Sequence, residues 1–282
     1  MKNNLLLLTF IATTLISCNS SNDKEEWTSL FNGKDLSQWD TYLGPKMTEG
    51  DSGNTVRSEQ FLGLNNDTAG VFSLAELDGE KVLRVSGEIW GGISTKKEYS
   101  NYHLQLKFKW GEKKWFPRGK DSDKRDSGLL YHGVGKHGAD YGYWMRSQEF
   151  QIQEGDCGDY WGVAGALEDV PSSMNPDSTF SYDPKGELRE FSSSSPYGRN
   201  CKKFPDAEKP TGEWNTLDLY CFGDSSVHVV NGVVTMQLFN SRQQDETVTP
   251  LKKGKIQIQS ESAEVFYKDI KIQSIGSFPK LD

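Results

Sequence analysis

This sequence has few histidines and cysteines, and it lacks both a long apolar run and an excess of positive charge. It has 4 His and 4 Cys, and none of them forms a Cys-x-x-Cys pair or a Cys/His cluster with the spacing of a zinc site. No apolar run reaches the roughly 20 residues that a membrane-spanning helix needs. The formal net charge is -8, which argues against a groove that follows nucleic-acid phosphates. These absences argue against a zinc site, a membrane-spanning helix and a groove that binds nucleic acid.

The N-terminus has the pattern of an export signal. Lys2 precedes an apolar run at 5–16 that has the length of a signal-peptide core. The run ends in Leu15-Ile16-Ser17-Cys18, which resembles a bacterial lipobox and implies cleavage before Cys18 with lipid attachment to its thiol. An ordinary secretory signal with a chance cysteine is the alternative.

This interpretation divides the chain into a signal peptide at 1–17, a polar tether at 18–26 and one domain at 27–282. It also predicts a lipid-anchored protein of the bacterial cell envelope. Asn19, rather than Asp, follows the lipid-bearing cysteine, which is compatible with the outer membrane. The sequence leaves open which face of that membrane carries the domain.

Three cysteines remain in the mature chain, and an oxidising compartment permits one disulfide among them. Cys221 continues the apolar alternation of Leu217 and Leu219, so we expect it to be a buried thiol. Cys157 and Cys201 flank a long segment that a disulfide would staple. The sequence leaves this pairing open.

Polar and apolar residues alternate along most of the chain. The alternation is clean at 103–110, 149–153 and 255–259, and Asn231-Gly232 is a hairpin-turn dipeptide. No long segment has apolar residues at helical spacing. The pattern predicts an all-β sandwich.

Two segments interrupt this alternation. Residues 111–125 are rich in Lys and Arg and are expected to form a solvated loop, with a role in gripping substrate as the alternative. Residues 155–212 are rich in Gly, Pro, Ser and Asp and are predicted to be one long irregular insertion. The aromatic residues scattered through this segment, among them Tyr160, Trp161, Phe180, Tyr182, Phe191 and Tyr197, indicate that the insertion packs over part of a polar sheet face.

The side of each strand that faces away from the core carries amide and charged groups. Glu149, Gln151 and Gln153 share one such row, and Gln257 and Gln259 share another. Glutamine offers both donors and acceptors, so these rows suit a polyhydroxylated ligand. An ordinary solvated sheet face is the alternative.

The strand at 149–154 is related in pattern to the catalytic strand of laminarinase-type β-glucanases. In those enzymes two glutamates act as nucleophile and acid/base, with carboxyl groups about 5 Å apart. Here Gln151 and Gln153 replace two of the three acidic positions, and only Glu149 and Glu154 remain as a bulged pair. The pattern weakens the glucanase interpretation without excluding it.

A second resemblance covers nearly the whole mature chain. The sequence resembles the 3-keto-disaccharide hydrolase domain family, formerly a domain of unknown function, through seven motifs in the right order. They are the segments at 30–39, 86–92, 126–132, 149–152, 212–216, 231–232 and 254–272. The resemblance implies a concanavalin A-like jelly roll.

Three departures from the family pattern leave the choice of substrate open. Asp126 stands where Asn is common, and His132 stands where Arg is frequent. Ser260-Glu261-Ser262 replaces a motif that often contains histidine.

Together with the lipobox, the family resemblance implies a lipid-anchored enzyme that cleaves 3-keto-glycosides. A ketone at C3 acidifies the proton at C2, so one base and one acid could expel the C1 substituent by elimination, and water could then add. We predict His132 and Glu149 as the acid/base groups, because the ordinary pKa of histidine suits a base near neutral pH.

Six further residues are candidate substrate contacts: Lys107, Asp126, Trp144, Gln151, Gln259 and Glu261. No cofactor is certain, although a divalent cation could bind where His132, Glu149 and Glu261 converge. Two alternative functions stay open. One is a classical retaining glycosidase that uses Glu149 and Glu154, and the other is a non-catalytic glycan-binding lipoprotein.

Overall fold

The computed structural model describes residues 26–281. The predicted signal peptide, Cys18 and nearly all of the tether therefore lie outside the described residues. Every regular element of the described part is a β-strand. Within residues 26–281, no helix is long and apolar enough to span a membrane.

The strands are numbered in chain order. They are β1 (Thr28–Ser29), β2 (Trp39–Glu49), β3 (Thr55–Leu64), β4 (Phe72–Leu77), β5 (Glu80–Val85), β6 (Gly91–Thr95), β7 (Tyr102–Lys114), β8 (Asp126–Val134), β9 (Arg146–Gln153), β10 (Tyr160–Val163), β11 (Ala166–Met174), β12 (Phe180–Tyr182), β13 (Glu187–Phe191), β14 (Asn200–Cys201), β15 (Asn215–Phe222), β16 (Ser225–Val230), β17 (Val233–Gln244), β18 (Val248–Pro250), β19 (Lys255–Ser260) and β20 (Ala263–Ser274).

These strands form two antiparallel sheets. The larger has 12 strands with the central order β12-β11-β17-β16-β15-β7-β20-β5-β4, and β1, β13 and β18 pair at its sides. The smaller has 8 strands in the order β14-β10-β9-β8-β19-β6-β2-β3. Strands distant in sequence are therefore neighbours, and the expected all-β jelly-roll sandwich is confirmed.

The main core lies between the two sheets and follows the period-two pattern. Leu104, Leu106 and Phe108 of β7 face Leu129 of β8 and Ile258 of β19 in one buried cluster. Because successive side chains of a strand point to opposite faces, the intervening polar residues must face outward. The outer face of the 8-stranded sheet is the one on which the polar rows of β9 and β19 meet.

The segment at 155–212 differs from the expected irregular insertion, because it contributes β10 to β14. Of these, β10 and β14 extend the smaller sheet, while β11, β12 and β13 extend the larger one. Tyr160, Tyr182 and Phe191 pack in a second buried cluster at this end of the sandwich. Backbone pairing thus orders a segment whose composition is typical of a loop.

The cysteines of the described part are all free and buried, so the pairing of Cys157 with Cys201 is wrong. Cys157 lies in the main core between the sheets, whereas Cys201 lies in the second cluster with Tyr160. Cys221 is a buried thiol, as its alternation predicts.

A closed polar network lies inside the sandwich. The Tyr131 hydroxyl donates to Glu168 at 2.9 Å, and the Ser226 hydroxyl donates to the other carboxyl oxygen at 3.4 Å. His228 contacts the Tyr131 hydroxyl at 3.2 Å and stacks on Phe150 with ring centroids 4.0 Å apart. Burial raises the pKa of Glu168 to about 8 and lowers that of His228 to about 3, so both groups are neutral near pH 7.

Candidate functional site

The floor of the candidate site is formed where β8, β9 and β19 run side by side at the centre of the smaller sheet. Gly128 of β8 lies opposite Gln151 of β9, and Gln259 follows Ile258, the β19 partner of Leu129. A Cβ atom on Gly128 would lie 2.5 Å from Oε1 of Glu149 and closer still to Oε1 of Gln259. A glycine is required here because two polar side chains converge above its backbone.

A second group of charged residues lies beside this floor. The Arg118 guanidinium pairs with Glu261 at 3.1 Å and also contacts the Asp126 carboxyl. Gln153 donates a hydrogen bond to the same Asp126 carboxylate. Oδ1 of Asp126 and Oε1 of Gln259 are buried and have no hydrogen-bond partner among the described residues. Buried polar atoms without partners are uncommon, and a bound ligand would satisfy them.

Glu149 and Glu261 are both buried, and their environment favours the protonated forms. Burial, followed by the neighbouring Glu261 charge, raises the pKa of Glu149 well above its ordinary value. Burial raises the pKa of Glu261 to about 7, while the positive charge of Arg118 acts in the opposite direction. Asp140 and Arg199 influence the pKa of both glutamates, so these charged groups surround one space.

One wall of the site is aromatic. Trp144 stacks on Trp90 with ring centroids 5.6 Å apart, and its indole N–H donates to the Gly91 carbonyl at 2.9 Å. Tyr143 packs against both tryptophans. The Arg118 guanidinium carbon lies 5.7 Å from the centroid of Trp90, which joins this wall to the charged group.

The opposite wall comes from β10 and the segment that precedes β14. Trp161 pairs with Glu149 across the β10–β9 ladder, so the two side chains lie on the same face. The Arg199 guanidinium carbon lies 5.4 Å from the Trp161 centroid, and Arg199 pairs with Asp140 at 3.4 Å. The same guanidinium carbon lies 5.8 Å from the centroid of the Tyr141 ring.

The structure brings together most of the residues that the sequence singles out. These are Asp126, Trp144, Glu149, Gln151, Gln259 and Glu261, and all six are buried. The period-two pattern places them correctly, because every one of them except Trp144 lies on or directly beside β8, β9 or β19.

His132 does not reach this site. The pairing of β8 shifts register between Tyr131 and Val134, and His132 has a φ of 54°. This irregularity turns the imidazole to the core side of the sheet, where its ring lies 5.3 Å from Tyr131 and 6.0 Å from Tyr102. Burial lowers the pKa of His132 to about 4. The expected pair of His132 with Glu149 is therefore not assembled.

Lys107 lies on the other sheet. It projects from the outer face of β7 and pairs with Asp269 of β20 at 2.8 Å. The two sheets and the core separate it from Glu149, so the expected contact with substrate in this site is wrong.

Glu154 follows the last residue of β9 and is held by other partners. Its carboxylate pairs with Arg125 at 2.8 Å and accepts a hydrogen bond from Thr211. The Thr211 hydroxyl and the Arg125 groups lower the pKa of Glu154 against the opposing effect of burial. Nothing in this arrangement pairs Glu154 with Glu149.

The expected convergence of His132, Glu149 and Glu261 on a metal ion does not occur, because His132 faces the core. Within residues 26–281, no group of three His, Cys, Asp or Glu side chains is placed to hold a metal ion.

Sequence reasoning missed Arg118, Asp140, Trp161 and Arg199. Arg118 lies in the Lys/Arg-rich segment at 111–125, for which a solvated loop was expected, yet it reaches back to Glu261. Trp161 and Arg199 belong to the segment expected to be irregular. Its aromatic content was the available signal, and Trp161 does face the polar floor.

Together, the fold and the site define a jelly-roll domain with an acidic, aromatic-walled site on one sheet. The chain belongs to the family of 3-keto-alpha-glucoside-1,2-lyase-like domains, whose family model matches residues 26–273. Membership identifies a carbohydrate-active domain of the glycosyl-hydrolase type. No curated protein matches the chain.

Several solved structures are similar to this chain. A proposed glycosyl hydrolase from Parabacteroides distasonis has 20% identity, covers 89% of this chain and 100% of its own, and has a TM-score of 0.48. The carbohydrate-binding module CBM66 from Bacillus subtilis has 9% identity, coverages of 72% and 92%, and a TM-score of 0.40. LamAcat from Zobellia galactanivorans has 10% identity, coverages of 85% and 92%, and a TM-score of 0.42. At these values the likenesses carry no argument about function.

Proposed function

We propose that this protein cleaves 3-keto-glycosides by elimination across C1 and C2. The observation that supports this most directly is the pairing of Glu149 and Glu261 as two buried carboxyl groups of one site. Elimination needs a base that removes the C2 proton and an acid that protonates the leaving oxygen on C1. Two carboxyl groups of different proton affinity can divide these tasks.

In this proposal Glu261 is the base and Glu149 is the acid. The pKa of Glu261, about 7, makes it partly ionised near neutral pH and basic enough to accept a proton from carbon next to a ketone. Burial and the neighbouring Glu261 charge raise the pKa of Glu149 well above its ordinary value, which favours the protonated form that an acid needs. The C2–H electron pair forms the enolate, the C1–O bond breaks, and Glu149 protonates the departing oxygen. Water then adds to the C1–C2 double bond.

The remaining groups would bind the sugar and its ketone. A guanidinium has five N–H donors, so Arg118 retains donors for an enolate oxygen while it contacts Asp126 and Glu261. The unpartnered oxygens of Asp126 and Gln259 can accept hydrogen bonds from sugar hydroxyls. Because Gly128 has no side chain, the Glu149 carboxyl and the Gln259 amide lie close together on the floor of the site, where both can contact one sugar ring.

The test is a paired assay of methyl glucoside and methyl 3-keto-glucoside in D₂O. The 3-keto substrate should react far faster, and after hydration the product should carry deuterium at C2. A sample of 3-keto-glucose without protein controls for spontaneous exchange. Product without deuterium at C2 would indicate direct displacement, and equal rates on the two glycosides would remove the ketone from the mechanism. Glycan binding without turnover would indicate a non-catalytic binding protein.

We also propose that the mature protein is held in the bacterial outer membrane by lipid on Cys18. The lipobox and the polar residues that follow it support this proposal. A lipid anchor would keep the enzyme at the cell envelope, close to glycosides that enter from outside.

A further inference from the structure

A surface of aromatic rings and a guanidinium leads away from Glu149, and we call its three residues the ledge: Trp161, Arg199 and Tyr141. Trp161 is the cross-strand neighbour of Glu149 on the polar face of the sheet. The guanidinium carbon of Arg199 lies 5.4 Å from the ring centroid of Trp161 and 5.8 Å from that of Tyr141. The ledge therefore begins beside the proposed acid and continues outward.

The ledge is held rigidly from two sides. The Gly162 N–H donates to the Arg199 carbonyl at 2.8 Å, which fixes Arg199 beside β10. Asp140 pairs with the guanidinium at 3.4 Å, and the Asp140 N–H donates to the Trp144 carbonyl at 3.0 Å. A guanidinium anchored in this way presents its remaining N–H donors in a fixed orientation.

The outer end of the ledge is exposed to an unusual degree. Tyr141 is 67% exposed, and Phe61 of β3 is 49% exposed. Phe61 lies close to the backbone of Gly142, the residue after Tyr141, because a Cβ atom on Gly142 would lie 3.1 Å from the Phe61 ring. Single exposed aromatic residues are common, but a run of them that starts at a site marks a binding surface.

We propose that the ledge binds the leaving group of the substrate and selects leaving groups that contain a ring. This inference rests on the proposed function, because it assigns the leaving group to the Glu149 side of the site. The acid must reach the C1 oxygen, so the group attached to that oxygen has to lie next to Glu149. On that side the structure offers aromatic faces and N–H donors, which suit the carbon–hydrogen face and hydroxyl groups of a second sugar or the face of an aromatic ring.

The experiment compares three 3-keto-glucosides whose leaving groups are glucose, phenol and methanol. For Tyr141→Ala and Trp161→Ala, the ratio of kcat/KM for a ring-bearing substrate to that for the methyl substrate should fall about three- to tenfold. The loss should appear mainly in KM. A fall with the disaccharide identifies a sugar ring, and a fall with the phenyl substrate identifies an aromatic ring.

Tyr197→Ala is the matched control, since Tyr197 is an exposed tyrosine of the segment at 155–212 whose ring centroid lies 5.6 Å from a different guanidinium, that of Arg189. It should leave the ratio unchanged. An equal loss on all three substrates, or no loss on any, would overturn the proposal. Because Tyr141 is largely exposed, its variant will fold even if Trp161→Ala does not.

Failure of the proposed function remains distinguishable from failure of this inference. If wild-type protein turns over none of the 3-keto substrates, binding of cellobiose and of phenyl glucoside can be measured by titration calorimetry. Weaker binding of either ligand by Tyr141→Ala, with Tyr197→Ala unaffected, would support the ledge as a ring-binding surface. Unchanged binding of both ligands would overturn it.

Discussion

Burial raises the pKa of Glu149 and Glu261 in the candidate site and of Glu168 inside the sandwich. The two regions differ in the hydrogen-bond partners around these acids. Glu168 is enclosed by hydroxyl donors from Tyr131 and Ser226. Around Glu149 and Glu261, by contrast, oxygens of Asp126 and Gln259 have no partner among the described residues. Burial alone therefore does not identify a functional acid. What distinguishes the candidate site from the interior acid is the incomplete set of hydrogen bonds on its sheet face.

The strongest way to test this comparison is to remove the ionisable group in each region. Glu149→Gln and Glu261→Gln should lower kcat/KM on the 3-keto substrate by about 10²- to 10⁴-fold, because general acid/base groups typically contribute that much. Folding should be unaffected, since a neutral amide replaces a carboxyl group that burial disfavours when charged. Glu168→Gln is the control and should retain activity. A large loss in the control would show that the two regions are not separable.

Crowding the floor of the site should have a smaller effect on activity. In Gly128→Ala the new Cβ atom must displace the Glu149 carboxyl or the Gln259 amide. A displacement of about 1 Å can cost on the order of 100-fold in rate, so we expect kcat/KM to fall about 10- to 100-fold. Gly276→Ala is a suitable control, because a Cβ there meets nothing within 4 Å. Wild-type activity in Gly128→Ala would contradict the convergence of these side chains.

The interior acid should appear in the pH dependence of stability. The pKa of Glu168 is raised from 4.5 to about 8 in the folded protein, so its contribution is fully present below the unfolded-state pKa and is lost as pH rises toward 8. Glu168→Gln should reduce the downward slope of unfolding free energy between pH 5 and 8 by up to about 1.4 kcal/mol per pH unit. Urea unfolding at several pH values measures this slope. An unchanged slope would mean that Glu168 is ionised in the folded state.

The smallest effect on the fold is expected from Cys18→Ala. This change should release the protein from membranes. The unfolding transition and the activity on the 3-keto substrate should stay unchanged, because Cys18 precedes the described domain. Membrane fractionation with a labelled fatty acid measures the outcome. If wild-type protein carries no lipid and Cys18→Ala is retained equally, the lipobox interpretation is wrong.

The alternation of the sequence predicted the sandwich and the floor of the site for a simple reason. Period two fixes the face of every residue on an unbroken strand, so Glu149, Gln151 and Gln259 could be placed together without coordinates. The same rule failed at His132, because one irregular position in β8 reverses the face. No periodicity argument can detect such a register shift.

The walls could not be predicted, because they depend on how loops fold back. Arg118 reaches Glu261 only because the loop is tied down by the Trp115 N–H, which donates to the Ser262 carbonyl at 2.8 Å. Arg199 reaches Trp161 only after β14 pairs with β10. Such contacts join residues distant in sequence, and composition alone does not encode them.

The segment at 155–212 supplies Trp161 and Arg199 but neither Glu149 nor Glu261. This contiguous piece of chain, which follows β9, furnishes two of the three ledge residues, while Tyr141 precedes β9 and the proposed reacting carboxyls lie on β9 and beside β19. If the proposed mechanism holds, replacing this one piece of chain would change the leaving-group preference and leave the proposed reaction chemistry in place.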